Sequence, residues 1–272
     1  MQKLSTVDVE QWHAALRTQV SARTIGHAHR VLSHALRDAV RHRLVADNVA
    51  SAQGAPKVEE SEVEVVPHDR IGELVDKLRG RTIYARAITS LFTGMRRGEV
   101  LALRWQNVDL GGAQITVAEA LEETKGGGMR GKPPKSKAGR RTISLPAIVV
   151  DALREHRREQ LELRMALGIG KMPDDALVFP APLKGGYQSP RAFSKEWARV
   201  ATAIAIDGLT FHALRHTHAS QLIAAGADIV TINRRLGHAR PDITLRIYAH
   251  LFRKDDSKAA DAINDALAAL GS

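Results

Sequence analysis

A cluster of histidines and cations near the C-terminus constrains this chain more than any other feature. The stretch 211–218 reads FHALRHTH, a Leu-Gly-His ends at His238, and Tyr248 follows ten residues later. His212 and Arg215 are spaced i, i+3, so a helix would place both on one face. A guanidinium fork beside an imidazole is well suited to holding a phosphate group. The pattern therefore predicts a phosphate-handling site carried on helices.

The overall charge agrees with a polyanionic partner. The 272 residues carry 40 Lys and Arg against 30 Asp and Glu, a net charge of +10, and 44% of them are hydrophobic, enough for two domain cores. Nucleic acid is the first candidate for such a charge, although an anionic membrane surface would also attract it. The absence of cysteine excludes disulfides, thiolate chemistry and cysteine-based zinc sites. Without a long apolar run or a signal-peptide core, the chain is expected to be cytoplasmic and to avoid membranes.

Four motifs in a fixed order resemble those of the tyrosine recombinase, or phage integrase, family. They are the Thr-Gly-Met-Arg that ends at Arg96, the His-x-Leu-Arg-His-Thr of 212–217, the Leu-Gly-His that ends at His238, and Tyr248. The resemblance is strong over 67–255 and looser before it. It implies a site-specific recombinase that cuts and rejoins DNA through a 3′-phosphotyrosyl intermediate, without metal, ATP or another cofactor. The implied partners are double-stranded DNA with attachment-type sites and a homotetramer assembled on that DNA.

The resemblance also implies a role for each motif residue. Arg96, Arg215 and His238 would stabilise the negative charge that develops on the phosphate oxygens. Tyr248 would be the nucleophile, and His212 would help to take its proton, because a phenol with a pKa near 10 needs such help at neutral pH. Of the three tyrosines in the chain, only Tyr248 follows the Leu-Gly-His.

Two further roles are implied outside these motifs. Lys135 lies in a Pro-Lys-Ser that resembles the family's Pro-Lys-Thr, and it would protonate the leaving 5′ oxygen. Lys137 is close enough in sequence to compete for that role. Glu99 follows Arg96 by three residues and could orient it, or it could be an exposed helix charge.

The hydrophobic periodicity indicates a mainly α fold with a small antiparallel sheet, an α+β protein. Strands are predicted at 114–117 and 141–145, with a glycine-rich basic turn between them. The resemblance divides the chain into parts, which are a helical core-binding domain over 1–50, a linker over 51–66, a catalytic domain over 67–255 and a helical tail over 256–272. It also implies that the first domain is shortened and that an arm-type DNA-binding module ahead of it is absent. The tail either folds onto its own domain or docks on a neighbouring subunit.

Capping residues predict helix starts at Ser5, Ser21 and Ser189, and the second of these opens a basic helix within the first domain. Its apolar positions 31, 32, 35, 36, 39 and 40 predict the buried face. Arginines on the opposite face either form a solvated surface or contact DNA phosphates without reading sequence. The residues assigned to DNA contact are Arg30, Arg37, Arg41, Arg43 and, in the catalytic domain, Lys137.

Three other interpretations compete with recombination. His212 and His216 have a metal-ligand spacing, but Arg215 between them would repel a cation and no carboxylate lies nearby, so no metal site is expected. A type IB topoisomerase shares the chemistry but matches the motifs less well. A DNA-binding remnant of an integrase without catalysis would fit the short N-terminus, although every residue assigned to catalysis is present.

Overall fold

In the computed structural model, two compact units divide the chain, Met1–Glu62 and Val63–Ser272. The structure describes residues 4–57, 64–124, 126, 128–134, 136–182, 185–206, 208–249, 264 and 267–268, with the backbone alone at Lys137 and Arg246. The division falls inside the predicted linker. Lys135 lies outside the described residues, as does most of the predicted tail.

Three helices form the first unit, and their bounds are α1 (Thr6–Arg17), α2 (Ala22–Arg41) and α3 (Val49–Gln53). The predicted helix start at Ser5 is confirmed, since its hydroxyl accepts from the Asp8 amide and the Asp8 carboxylate accepts from the Ser5 amide at 2.8 Å. The start at Ser21 is confirmed as well. Helix α3 lies where the sequence predicted the linker to begin, and it packs against α1 and α2.

The interior of the first unit differs from the predicted apolar stripe. Val31, which was expected to be buried, is 72% exposed, whereas Ile25, His29 and Ser33 are buried. These three are spaced i, i+4, i+8 and so share one face of α2. His29 Nδ1 lies 3.1 Å from Nε2 of the buried His13 on α1. The stripe prediction was wrong at Val31 and Ala35, which are exposed, because the buried centre of the face includes polar side chains. The other stripe positions are half-buried beside it, namely Leu32, Leu36, Ala39 and Val40.

Eight helices are described in the second unit. They are α4 (Ile71–Leu78), α5 (Tyr84–Thr93), α6 (Arg97–Leu101), α7 (Ala147–Ala166), α8 (Pro190–Ala203), α9 (Phe211–Ala224), α10 (Ile229–Leu236) and α11 (Pro241–Tyr248). Short 3-10 turns lie at His68–Arg70, Trp105–Asn107 and Lys137–Gly139. None of the helices in the described part of the chain has the length and apolar character needed to cross a membrane.

Helix α5 is the centre of the second unit. Nearly all of its residues are buried, and it packs against both α7 and α9. Phe211 at the start of α9 makes edge-to-face contacts with Phe193 and Trp197, whose ring centroids lie 4.7 and 5.4 Å away. Gly94 ends α5 at a positive φ of 67°. The α5–α9 packing therefore brings the Thr-Gly-Met-Arg turn close to the His-x-x-Arg helix.

Two small antiparallel sheets flank the helices. The strands are β1 (Val108–Asp109), β2 (Gln114–Val117), β3 (Ala120–Glu123), β4 (Met129–Lys132) and β5 (Arg141–Ser144). The predicted pairing of β2 with β5 is confirmed, with Ile115 opposite Ile143, and β1 extends that sheet. Strands β3 and β4 form a separate hairpin, part of which lies in the stretch predicted as a basic turn. The predicted class, mainly α with small antiparallel sheets, is confirmed.

Candidate active site

Arg215 is the residue that joins the separate motifs. Its side chain is 2% exposed, and Nη1 donates to the carbonyl of Gly94 at 2.5 Å. Nη2 donates to the carbonyl of Leu236 and to Nε2 of His238, both at 2.8 Å. Burial, followed by the charge of Arg96, lowers the pKa of Arg215 to about 9, so the guanidinium is still charged at neutral pH.

The hydrogen bonds around His238 define which of its nitrogens carries the proton. Gly237 ends α10 at a φ of 65° and presents His238 just beyond the helix. Nδ1 lies 2.8 Å from the hydroxyl of Thr244, and that hydroxyl donates to Asn233 Oδ1 at 3.1 Å. Nδ1 is therefore the donor, and Nε2 accepts from Arg215. Burial and the charge of Arg215 lower the pKa of His238 to about 3, in agreement with a neutral ring.

A buried carboxylate holds two arginines. Arg96 precedes α6, and its backbone N–H and Nη1 donate to Glu99 at 2.8 and 2.9 Å. Nη2 of Arg96 donates to the carbonyl of Gly237 at 3.1 Å. From the other side, Arg141 donates to both Glu99 oxygens at 3.1 and 2.9 Å. Burial alone would raise the pKa of Glu99, but the hydrogen bonds and charges of Arg141 and Arg96 outweigh it and lower the pKa.

Sequence reasoning missed Arg141. Its Nε donates to the carbonyl of Arg235 at 2.7 Å, so it connects β5 to α10 as well as to Glu99. A signal was present, because Arg141 alternates with Ile143 on the inward face of β5. A buried arginine on a strand requires an anionic or carbonyl partner.

A basic cleft lies beside these residues. Its volume is about 590 Å³, and its wall includes Arg96, Arg97 and His212, with Trp197 and Phe211 among its apolar residues. His212 is the second residue of α9 and is exposed. Partial desolvation, then the charges of Arg215, Arg96 and Arg97, lowers the pKa of His212. The cleft thus presents cations and a neutral imidazole to an incoming anion.

Tyr248 ends α11 and is held inside the fold. It is 1% exposed and packs in a small apolar cluster with Ile223, Ile232 and Leu236. Its hydroxyl oxygen lies 2.6 Å from Nδ1 of His216. Burial raises the pKa of Tyr248 to about 12, although the charge of Arg215 opposes this rise. In this structure the hydroxyl is paired with His216 and not with His212.

The remaining predicted site residues lie elsewhere or outside the described part. Arg30, Arg37, Arg41 and Arg43 are all exposed in the first unit, where Arg41 lies 3.4 Å from Asp38. Lys135 and the side chain of Lys137 lie outside the described residues. Among the residues that the structure describes, no group of three or more His, Asp or Glu side chains is arranged to hold a metal ion.

Comparison with known proteins identifies the family. The model of the phage integrase family matches residues 64–255. A XerC-like tyrosine recombinase of Caldanaerobacter subterraneus subsp. tengcongensis is 26% identical over 279 residues, covering 96% of this chain and 71% of the relative. Other curated relatives are matched over as little as 50% of their own length.

Solved structures agree in fold. The Tn1549 transposon integrase in complex with transposon right end DNA superposes with a TM-score of 0.81 at 19% identity, covering 98% of this chain and 87% of that one. A lambda integrase tetramer bound to a Holliday junction gives a TM-score of 0.59 at 17% identity, covering 89% of this chain and 66% of that one. The family match covers more than half of the sequence, so this chain belongs to the phage integrase family of tyrosine recombinases.

Proposed function

We propose that this chain breaks and rejoins double-stranded DNA as a site-specific recombinase, with Tyr248 as the nucleophile. The observation that carries the proposal is the convergence of distant segments on Arg215. Its guanidinium contacts the turn after α5, the end of α10 and His238, while Tyr248 is hydrogen-bonded to the next residue of α9. Binding DNA alone would not require a buried phenol beside this arrangement.

In the proposed reaction, Tyr248 Oη attacks a DNA phosphorus in line. The bond from phosphorus to the 5′ oxygen breaks, and the energy of that phosphodiester bond is retained in a 3′-phosphotyrosyl ester, so no ATP is consumed. A 5′ hydroxyl from another strand then reverses the step and joins new partners.

Fixed donors would stabilise the charge that develops on the non-bridging oxygens. Arg96 and His212 line the basic cleft, where a phosphodiester can enter. Within the described residues, Arg215 uses three of its five N–H groups on Gly94, Leu236 and His238, which leaves two for the phosphate. We assign His238 to the same phosphate group through Arg215, whose guanidinium it positions by accepting a hydrogen bond at Nε2. We assign Glu99 to the orientation of Arg96, and Lys135 to protonation of the 5′ oxygen, with Lys137 as the competing candidate.

The partners belong to the same proposal. The exposed arginines of the first unit would contact the DNA backbone and position the enzyme without reading sequence. We propose a homotetramer on attachment-type sites, in the cytoplasm, with the C-terminal tail docking on a neighbouring subunit.

A covalent trap tests the proposed function. Nicked duplexes from a randomised pool are incubated with the protein in chelator and without ATP, and denaturing gels score protein–DNA adducts. We expect an adduct, because cleavage next to the nick releases a short strand that carries the 5′ hydroxyl. Once that strand diffuses away, the covalent intermediate cannot be religated. Intact DNA binding without any adduct would contradict the proposal and would favour a non-catalytic binder.

Arg215→Lys is expected to slow adduct formation by about 10²- to 10³-fold, the usual loss when one transition-state donor is removed. A single ammonium cannot replace a planar fork that spans Gly94, Leu236 and His238. Single-turnover adduct rates on the trapped DNA measure the effect. The matched control is Arg86→Lys, since Arg86 is also buried but pairs with Gln188 and Glu196 away from the cleft. An equal loss of rate in both variants would show that the effect of Arg215→Lys is only structural.

A further inference from the structure

We infer that His216 is a catalytic residue, whose Nδ1 accepts the phenolic proton of Tyr248 as the tyrosine attacks. The inference rests on the proposed strand-cleavage function. It assigns the proton transfer to a histidine of the second motif to which the resemblance gives no role, one helical turn beyond the His212 to which the resemblance gives that transfer.

Geometry is the first support. The distance of 2.6 Å between His216 Nδ1 and Tyr248 Oη is at the short end of the range for a general base and its proton donor. Both partners are held by packing, because His216 is half-buried on α9 and Tyr248 lies in the apolar cluster. No hydrogen bond joins His212 to Tyr248 among the described residues. The ring of His212 instead stands edge-on to that of His216, with centroids 4.7 Å apart.

The protonation states are the second support. Burial, then the nearby His212 and Arg215, lowers the pKa of His216 to about 4, so the ring is neutral at pH 7 and has a lone pair to accept with. The phenol, with its raised pKa, is fully protonated. The resting pair is therefore neutral, and the inferred role requires the tautomer in which the Tyr248 O–H donates to Nδ1 and the ring proton is on Nε2.

Binding of DNA would make His216 more basic. Arg215 disfavours a cationic His216, and an anionic phosphodiester seated beside Arg215 and Arg96 would offset that effect. His216 becomes more basic at the moment when its proton acceptance is needed. A nucleophile that is neutral at rest is thereby activated by its own substrate.

Each bond that breaks during strand cleavage is matched by one that forms. The Oη–H bond of Tyr248 breaks and an N–H bond forms at His216 Nδ1. The Oη–P bond forms, the P–O5′ bond breaks, and the 5′ oxygen takes a proton from the general acid, for which we propose Lys135. On rejoining, the His216 imidazolium returns its proton to the departing phenol.

Single-turnover adduct formation on the DNA trapped by the wild-type protein tests the inference. His216→Ala and His216→Gln are expected to lose about 10²- to 10⁴-fold in rate, the usual contribution of a general base, with DNA affinity unchanged. The matched control, His68→Ala, removes an exposed histidine of the same unit and is expected to keep the wild-type rate. A loss below tenfold in both His216 variants would overturn the inference.

A tyrosine analogue with a more acidic phenol distinguishes a general base at position 216 from a residue that only packs against Tyr248. Fluorotyrosine at position 248 loses its proton more readily than tyrosine does. We therefore expect it to raise the rate of adduct formation by His216→Ala at least tenfold, while changing the wild-type rate little. Failure of this rescue would overturn the inference, because a packing defect does not respond to the acidity of the phenol.

A measurement on the DNA-free protein does not depend on activity. The ¹⁵N chemical shifts of the His216 ring are expected to show an unprotonated Nδ1 and a protonated Nε2 at pH 7. A proton on Nδ1 would overturn the inference even if adducts form. Complete absence of a wild-type adduct would overturn the proposed function and the inference together, whereas a wild-type adduct with unchanged rates in the His216 variants would overturn the inference alone.

Discussion

Tyr248→Phe is expected to abolish covalent capture of DNA while leaving the fold and DNA binding intact. The substitution removes only the hydroxyl, so the ring continues to fill the apolar cluster formed with Ile223, Ile232 and Leu236. The cost in stability is the hydrogen bond to His216, about 1 kcal/mol. Denaturing gels measure the adduct, and thermal unfolding with a DNA-binding titration establishes that the variant is intact.

The control for this prediction is Tyr84→Phe. Tyr84 is half-buried at the start of α5, outside the group of residues around Arg215, so loss of its hydroxyl is expected to leave the adduct yield unchanged. An adduct that persists in Tyr248→Phe would show that another side chain attacks the DNA, and the proposed mechanism would fail.

Glu99→Ala is expected to destabilise the second unit by about 3 to 5 kcal/mol, the usual result of breaking a buried ion pair by removing one partner. Glu99 is 4% exposed, and its loss would leave the buried Arg141 guanidinium without its carboxylate and Arg96 without its anchor. Urea unfolding at neutral pH measures the change. The exposed Glu73, which pairs with Lys77 and Arg70, provides the control Glu73→Ala, for which little change is expected.

The contribution of Glu99 to stability is expected to decrease at low pH. The pKa of Glu99 is lowered in the folded state, so the carboxylate contributes stability above the unfolded pKa of about 4.3 and loses it as the pH falls toward the folded value. The stability gap between the wild-type protein and Glu99→Gln should therefore narrow below about pH 4. If Glu99→Ala were as mild as Glu73→Ala at neutral pH, Glu99 would not hold the two arginines.

Local signals were enough to predict several helix starts and the principal strand pair. Ser5, Ser21 and Ser189 each cap a helix by accepting a hydrogen bond from the amide three residues further on, which is information carried within a few positions of sequence. The hairpin of β3 and β4 was missed because Arg130, Gly131 and Lys132 lack an alternating apolar pattern. Glu122 on the facing strand compensates for this, since it pairs with Arg130 at 2.9 Å and Lys132 at 3.1 Å.

The residues of the candidate site also divide into those that a local motif predicts and those that only the tertiary packing brings together. Arg96, Arg215, His238 and Tyr248 could be found because each lies in a short motif. The partnership of Glu99 with Arg141 spans 42 positions of sequence and depends on how β5 meets α6, so no local pattern predicts it. His216 was visible in the sequence, but only the packing of α11 against α9 places it, and not His212, against the tyrosine hydroxyl.

Mapping the trapped adduct tests the central claim most directly. The wild-type adduct, formed in chelator, is digested with protease and nuclease, and mass spectrometry locates the attached nucleotide while end-labelling reads the terminus of the released strand. We expect a 3′-phosphate ester on Tyr248 and a free 5′ hydroxyl on the released strand. A nucleotide on any other residue, or an ester through a 5′ phosphate, would contradict the assignment of Tyr248 as the nucleophile of a tyrosine recombinase.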